Sequence, residues 1–250
     1  MSVQLVNLAD NFPCYTTSEG EAQFIYKEIF VDRCYDGPKL SETPFVIDAG
    51  ANVGMFSIYM KQKYPAAKIL AFEPAPDTFN VMRQNLKLHN VAEGVEMHPY
   101  GLGPKSSTEK LTYFPNLPGN STLRPEEKEA VRKGVAESLG QEFADATFGN
   151  AQQLDVKIER LSHFLQSYPD VDRIDLLKVD VEGVELGVLQ GLDDEHWAKI
   201  RNVVLETMEQ SGDRAAIEEL LKSKGLTVTL EEAAWAPGAN GVYMMTASRD

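Results

Sequence analysis

The 250-residue chain reads as an α/β protein, a mostly parallel seven-stranded sheet with helices on both faces and an antiparallel hairpin at its C-terminal edge. Three observations predict this class. From Phe45 onward, short apolar runs alternate with amphipathic segments, the rhythm of strand-helix-strand units. The strands "FVIDAG", "KILAFEP" and "IDLLKVDVEG" are nearly continuously apolar, as strands covered on both faces must be. The first of them runs straight into a glycine-bearing turn and a helix, "VIDAGANVGMFS".

Taken in order, "TTSEGEAQFIYKEIF" reads as a helix, with Ser18 and Glu21 as a capping box and Phe24, Ile25 and Ile29 on one face. A turn-rich connection, "VDRCYDGPKLSETPF", completes an N-terminal helical cap over residues 1–44. After "FVIDAG" comes the helix "MFSIYMKQKY", stopped by Pro65, and then the strand "KILAFEP". "DTFNVMRQNLKLH" is a helix with Asp77 at its cap and Phe79, Met82 and Leu86 inward. "VEMHPYGL" reads as one strand and "KLTYF" as a short extra one. Residues 115–155 form a helical insert or lid, in which Val131, Val135, Leu139 and Phe143, at steps of four, mark an amphipathic helix over 125–143. The main rhythm resumes with "IDLLKVDVEG", the helix "VELGVLQ", the strand "NVVLETM" and a helix over 213–224 ended by Gly225. "LTVTL" and "GVYMMTA", joined by the turn-like "APGAN", make the hairpin. One domain, 1–250, is expected.

Composition narrows the function. The net charge is −14 and no Lys/Arg cluster is visible, which disfavours nucleic acid, whose affinity rests on neutralised phosphates. No apolar run is long enough to span a membrane. The N-terminal residues lack a secretion-signal pattern, so a cytoplasmic protein with Cys14 and Cys34 reduced and buried is expected. The acceptor sequon at Asn120 then has little weight.

In such a sheet, ligands bind beyond the C-terminal ends of the strands. Asp48, Glu73, Asp180 and Glu206 all fall at or near strand ends, more acids on one rim than solubility requires. The first turn, Asp48-x-Gly50-x-x-x-Gly54, is neither the dinucleotide fingerprint nor a phosphate-binding P-loop. Asp48 brings a negative charge, unsuited to a phosphate and suited to a cationic amine or sulfonium. Glu73 lies 19 residues after Gly54, where an acid can grip both hydroxyls of a ribose. A ribose with a positively charged amino-acid tail describes S-adenosylmethionine.

Four stretches in this order and spacing, "VIDAGANVGMFS", "AFEPAPDTFNVMRQNL", "IDLLKVDVEGVELGVLQG" and "VVLETM", resemble the FkbM family of S-adenosylmethionine-dependent methyltransferases over about residues 45–210. "EAQFIYKEIFVDRCY" and "YFPNLPGNSTLRPEEK" are similar to the branch associated with polyketide and nonribosomal peptide biosynthesis. The resemblance implies a Rossmann-like class I methyltransferase fold and methyl transfer to a hydroxyl of a small-molecule natural product, with biosynthetic enzymes as partners. It places Asp48, Gly50, Asn52 and Gly54 at the methionine end of the cofactor, Glu73 with Pro74 at the ribose, and Tyr100, Gly101 and Leu102 near the adenine. Tyr26 and Glu28 on the first helix would close over the site.

For chemistry, alternation puts Lys178 and Asp180 on one side of their strand, and a buried lysine needs a partner, Asp180 or Glu182. Asp180 is the leading group to hold or deprotonate the acceptor hydroxyl, with Glu182, Glu185 and Glu206 competing. Glu182 and Glu185 would share a helix face if that helix starts early. A divalent ion on Asp180 and Glu206 is the less favoured alternative. His98 and His163 are expected to be structural or surface residues, and His89 and His196 to lie on helix surfaces. Relatives often have an acid-rich segment where this chain has Ser162 and His163. The remaining alternatives are N- or C-methylation, a carrier-bound acceptor, and a non-catalytic cofactor-binding module.

Overall fold

The structure, a computed structural model, describes residues 3–208, 212–233 and 241–249. Its centre is a seven-stranded sheet built from β3 (Phe45–Ala49), β4 (Lys68–Phe72), β5 (Val95–His98), β9 (Leu176–Val179), β10 (Asn202–Met208), β11 (Thr227–Glu232) and β12 (Val242–Ser248), in the order β11-β12-β10-β9-β3-β4-β5. The strand order reverses between β3 and β9, which opens a crevice beyond their C-terminal ends. All the pairings from β10 to β5 are parallel, whereas β12 runs antiparallel to both β10 and β11. The expected hairpin therefore exists, but its second strand is interior and its first forms the edge. The "APGAN" turn lies outside the described residues.

Helices α2 (Met55–Lys63) and α3 (Pro76–Leu88) follow β3 and β4. Met55, Phe56, Ile58, Met82 and Leu86 are buried beneath them with Val46 and Ile69, one of the two large core layers. Phe79 is only half-buried, and α3 is capped by Ala75 with Pro76 in its first position, not by Asp77. On the opposite face, α6 (Leu161–Leu165), α7 (Glu185–Gln190), α8 (Asp194–Trp197) and α9 (Arg214–Ser223) bury Leu161, Val188, Leu189, Trp197, Ile217 and Leu221 against Ile47, Leu177 and Leu205. Both faces of the central strands are covered, which is why they read as unbroken apolar runs.

Three departures from the sequence reading concern the periphery. The N-terminal cap is not purely helical. Strands β1 (Gln4–Ala9) and β2 (Phe12–Thr16) form a hairpin ahead of α1 (Glu19–Tyr26), which continues as a π-helical turn over Lys27–Val31. Ser18 sits at the N-cap but makes no capping bond, and Glu21 instead accepts the Gly119 N–H at 2.8 Å. Phe24 is exposed rather than inward.

The segment "VEMHPYGL" is two strands. Pro99, which has no N–H to donate, interrupts the ladder. β6 (Gly101–Leu102) then leaves the main sheet and joins β8 (Gln152–Glu159) and β7 (Ser107–Tyr113) in a three-stranded sheet. The insert between β7 and β8 carries α4 (Pro125–Leu139) and α5 (Gln141–Phe148), broken at Gly140 with φ +96°. The four-residue stripe fails there. Val131 and Val135 are half-buried, but Leu139 and Phe143 are exposed, because steps of four drift around a 3.6-residue helix and the break redirects the chain.

One backbone approach fixes the crevice. Gly50 has φ +78°, and a Cβ there would lie 1.7 Å from the Asp180 carbonyl oxygen. Any side chain both strains the turn and drives β3 from the loop after β9. Gly50→Ala is expected to destabilise the protein by about 2–4 kcal/mol in chemical denaturation. Gly134→Ala, in α4 with open space around it, should instead stabilise it by up to about 1 kcal/mol.

Candidate active site

Two cavities meet at the crevice. The first, of about 720 Å³, runs from Gly50 and Asn52 past Glu73 and Pro74 to Tyr100 and Gly101, and is roofed by Pro118 and Gly119 of the insert. It also takes in Leu102, Asp180 and Glu182. A smaller recess beside it is lined by Glu28, Tyr35, Gly50, Asn52, Lys178 and Asp180. The second large cavity opens on the other side of Asp180 and Glu182 and reaches Glu206.

Glu73, just past the end of β4, is held at both oxygens. Oε2 accepts the Asn52 N–H at 3.0 Å and Oε1 the Ala75 N–H at 2.9 Å. Burial pushes its carboxyl up to about 7, although the two N–H groups oppose that. Asn52 takes a left-handed backbone, φ +47°, and its buried Oδ1 has no protein partner. An unpartnered acceptor and a two-oxygen acid on one wall fit a ligand carrying hydroxyl or amine donors. Pro74, Tyr100 and Gly101 continue this wall away from the Gly50 turn.

Asp48 is placed differently from the sequence reading. It is fully buried under the turn, where Oδ2 accepts the Ser57 hydroxyl at 2.7 Å and Oδ1 lies 3.3 Å from Lys178 Nζ. The cation it meets is the protein's own. Gly54 likewise faces Met82 rather than a cavity, so that α2 can pack on α3. Tyr26 stacks on Phe30 and packs on Phe12, and it lines neither large cavity, because the β1–β2 hairpin claims it.

Lys178 is the ionic centre. It pairs with Asp48 at 3.3 Å and Asp180 at 3.6 Å and donates to the carbonyls of Gly50 at 2.6 Å and Ala49 at 3.3 Å. Burial alone would lower its pKa, but the two carboxylates outweigh it and hold the ammonium above its usual value. Glu182 is not its partner. With φ +58° it turns to Lys128 of α4 and forms an ion pair there, so it shares no helix face with Glu185, which begins α7. Asp180 has a second partner that the sequence did not reveal, for Tyr35 O–H donates to its Oδ2 at 3.1 Å. Burial, then Asp180, pushes this phenol well above its ordinary value. The turn-rich stretch holding Tyr35 gave no periodic signal that could have found it.

Around Asp180 the acids crowd. Burial raises Glu28 to about 8, with Asp180 and Glu182 adding to it, and Glu206 is driven well up by burial and the same two neighbours. Glu185 rises to about 7 through burial, though it accepts the Gly183 N–H at 2.9 Å. The π-helical turn in α1 carries Glu28 to the recess; such turns cluster at functional sites. Among the described residues, the one group of three close metal-ligand types is Asp193, Glu195 and His196 on and before α8, away from Asp180 and Glu206. His196 is buried, contrary to the surface reading, and its Nδ1 lies 2.8 Å from the Ser162 hydroxyl. His98 is stacked on Phe72 and His89 meets the Pro13 carbonyl at 2.8 Å. Both cysteines are free, Cys14 buried and Cys34 half-buried.

A model of the methyltransferase FkbM domain matches residues 48–226, from the end of β3 through β4, β5, β9 and β10 to the residue before β11. The chain belongs to the FkbM methyltransferase family. It is 53% identical to methyltransferase sdnD of Sordaria araneosa over 96% of this chain and 95% of that protein. It is 32% identical to the 31-O-demethyl-FK506 methyltransferase FkbM of Streptomyces tacrolimicus, over 92% and 91%. The crystal structure of methyltransferase FkbM from Methylobacillus flagellatus superposes with a TM-score of 0.55 at 13% identity, covering 83% of this chain and 44% of that one, and shares its Rossmann-like fold. No helix among the described residues is long and apolar enough to cross a membrane.

The crowding has a consequence for stability. Glu21, Glu28, Glu73 and Glu185 titrate near 7 to 8 when folded, against about 4.5 when unfolded. The folded state thus binds more protons between those values. Its extra stability is complete below pH ~4.5 and is lost as pH rises through 7 to 8. The melting temperature of the ligand-free protein is expected to rise by several degrees from pH 8.5 to pH 6, and a flat or opposite profile by scanning calorimetry would refute the assignment.

Proposed function

We propose that this family member uses S-adenosylmethionine and methylates a hydroxyl group of a small molecule, with Asp180 handling the hydroxyl. The observation that carries this reading is the junction of the two large cavities at Asp180, one lined by the Glu73 wall and the other open to an acceptor. The bound cofactor supplies a methyl carbon made electrophilic by a positively charged sulfur.

The chain's part is placement. Glu73 would accept hydrogen bonds from the two ribose hydroxyls while its backbone donors keep it in position. Asn52 Oδ1 would take an amine donor, and Tyr100, Gly101 and Leu102 would enclose the adenine. Asp48 acts one step removed, by anchoring Lys178 beneath Gly50. Asp180, fixed through Oδ2 by Tyr35 and Lys178, would present its carboxylate to the acceptor hydroxyl and receive its proton as the oxygen is alkylated. Glu206 and Glu28, pushed up by burial and by the charges of Asp180 and Glu182, hold their protons more tightly than ordinary carboxyls and would serve as proton stores beside it. Holding acceptor and donor at attack distance accounts for most of the acceleration such a site gives. The oxygen acceptor is supported by the name of the Streptomyces relative, and by a carboxylate at the junction, which an alcohol needs and a ready nucleophile such as an amine does not.

Two substitutions test these roles in calorimetric titrations and in transfer of labelled methyl from S-adenosylmethionine. Glu73→Gln should weaken cofactor binding by about 10- to 100-fold, the scale of one or two charge-assisted hydrogen bonds. Wild-type affinity should fall as pH drops below about 7, where the Glu73 carboxyl takes up a proton. Asp180→Asn should lower kcat by about 100-fold or more while cofactor affinity changes little, the range of a lost general base. Cofactor affinity unchanged by Glu73→Gln, or full turnover in Asp180→Asn, would overturn the corresponding role.

A further inference from the structure

The second cavity has an empty volume of about 1330 Å³, nearly twice that of the first, and shares Asn52, Gly119, Asp180 and Glu182 with it. Its lining is divided. At the mouth stand Phe24 of α1 and Phe143 of α5, 48% and 53% exposed, with Ile25, Leu117 and Met208 nearby. Deeper in lie Glu28, Asp180, Glu182 and Glu206. No lysine or arginine occurs among its described lining residues. The two buried ammonium groups closest to these acids, those of Lys128 and Lys178, are already engaged by Glu182 and by Asp48 with Asp180.

We infer that this cavity seats the acceptor, and that the acceptor is a bulky, largely apolar alcohol without a carboxylate or phosphate. The inference rests on the donor reading above, since it takes the first cavity as already assigned. Its grounds are physical. Large aromatic side chains left in water beside a concave surface mark an apolar ligand, and two of them come from separate elements to the same opening. The cavity's space is continuous with open solvent, so an acceptor larger than a sugar or an amino acid can reach Asp180 without being enclosed. Burial, with the charges of Asp180 and Glu182 adding to it, raises Glu28 and Glu206, and an added anion would meet the same acids with no lysine or arginine among the described lining residues to offset them. A neutral hydroxyl meets no such cost and can donate to Asp180.

The test uses Nile red as a neutral apolar probe, with decyl glucoside and decyl phosphate as competitors below their micellar concentrations. The full chain should bind the dye, and decyl glucoside should displace it at concentrations at least tenfold lower than decyl phosphate needs. A double variant, Phe24→Ser with Phe143→Ser, should lose at least tenfold in dye affinity. Its melting temperature and its calorimetric affinity for S-adenosylmethionine should stay as in the wild type, because both side chains are exposed and outside the first cavity. Equal displacement by the two competitors, or unchanged dye binding in the double variant, overturns the inference. Absence of S-adenosylmethionine binding to the wild type would instead overturn the donor reading, whatever the dye shows. At pH 9, where the Glu28 carboxyl is ionised, Glu28→Gln removes one negative charge without altering the mouth and should narrow the gap between the two competitors.

Discussion

A single lysine inside a parallel sheet sets the geometry of this protein's site. Lys178 sits in β9 with almost no exposure, and desolvating its charge costs several kcal/mol unless partners are close and well aimed. They are. Asp48 comes from the neighbouring strand, Asp180 from the same strand end, and two carbonyls come from the turn that carries Gly50. The consequence is that the β3 turn and the β9 loop are tied at one point. The wall built by Asn52 and Glu73 and the carboxylate of Asp180 therefore keep a fixed separation. Moving any one of these groups leaves a buried charge uncompensated, which is why the site is stiff at its centre even though its roof is made of loops.

The roof is attached by a few polar contacts. Glu21 of α1 receives the Gly119 N–H, Lys128 of α4 reaches Glu182, the Thr122 hydroxyl donates to the Glu182 carbonyl at 2.6 Å, and Arg124 pairs with Asp213 at 2.8 Å. These contacts act beside the buried Ala144 and Phe148 of α5, the latter edge-on to Phe114, which give the insert an apolar anchor of its own. Two of these contacts converge on Glu182. It adopts a left-handed backbone that a glutamate takes only when its surroundings compel it, here the Lys128 pair and the hydroxyl of Thr122.

The sequence disclosed the central sheet almost completely, because buried parallel strands are written as apolar runs ending in acids and glycines. Asn202–Met208 matches the segment read as a strand residue for residue. It disclosed the site less evenly. Gly50, Asn52, Glu73, Pro74, Tyr100 and Gly101 do line one cavity, since position at a strand end already determines that. The residue type and place of Asp48 are legible in the sequence, but its side chain's direction depends on Lys178, 130 positions away. Tyr35 was invisible for the same reason, a loop residue whose role comes from a partner 145 positions distant. The β1–β2 hairpin and β8 were overlooked although Phe12, Cys14 and Thr16, and Leu154, Val156 and Ile158, alternate as strands do. In both places a stronger helical pattern nearby masks the alternation.

The interior position of β12 also bears on how the chain comes into being. β11 pairs with nothing else in the sheet, and β10 has β12 as its neighbour on the side away from β9. Until residues 242–248 have left the ribosome, β10 presents an open edge and β11 has no place to dock. The half of the sheet that carries the Glu73 wall can assemble early, from local βαβ pairings, while the half beyond Glu206 must wait for the last strand to slide between two others. Vectorial synthesis thus leaves one flank of the nascent protein adhesive from the emergence of Met208 until Val242–Ser248 follow, and protection of that flank falls to whatever meets the chain as it emerges.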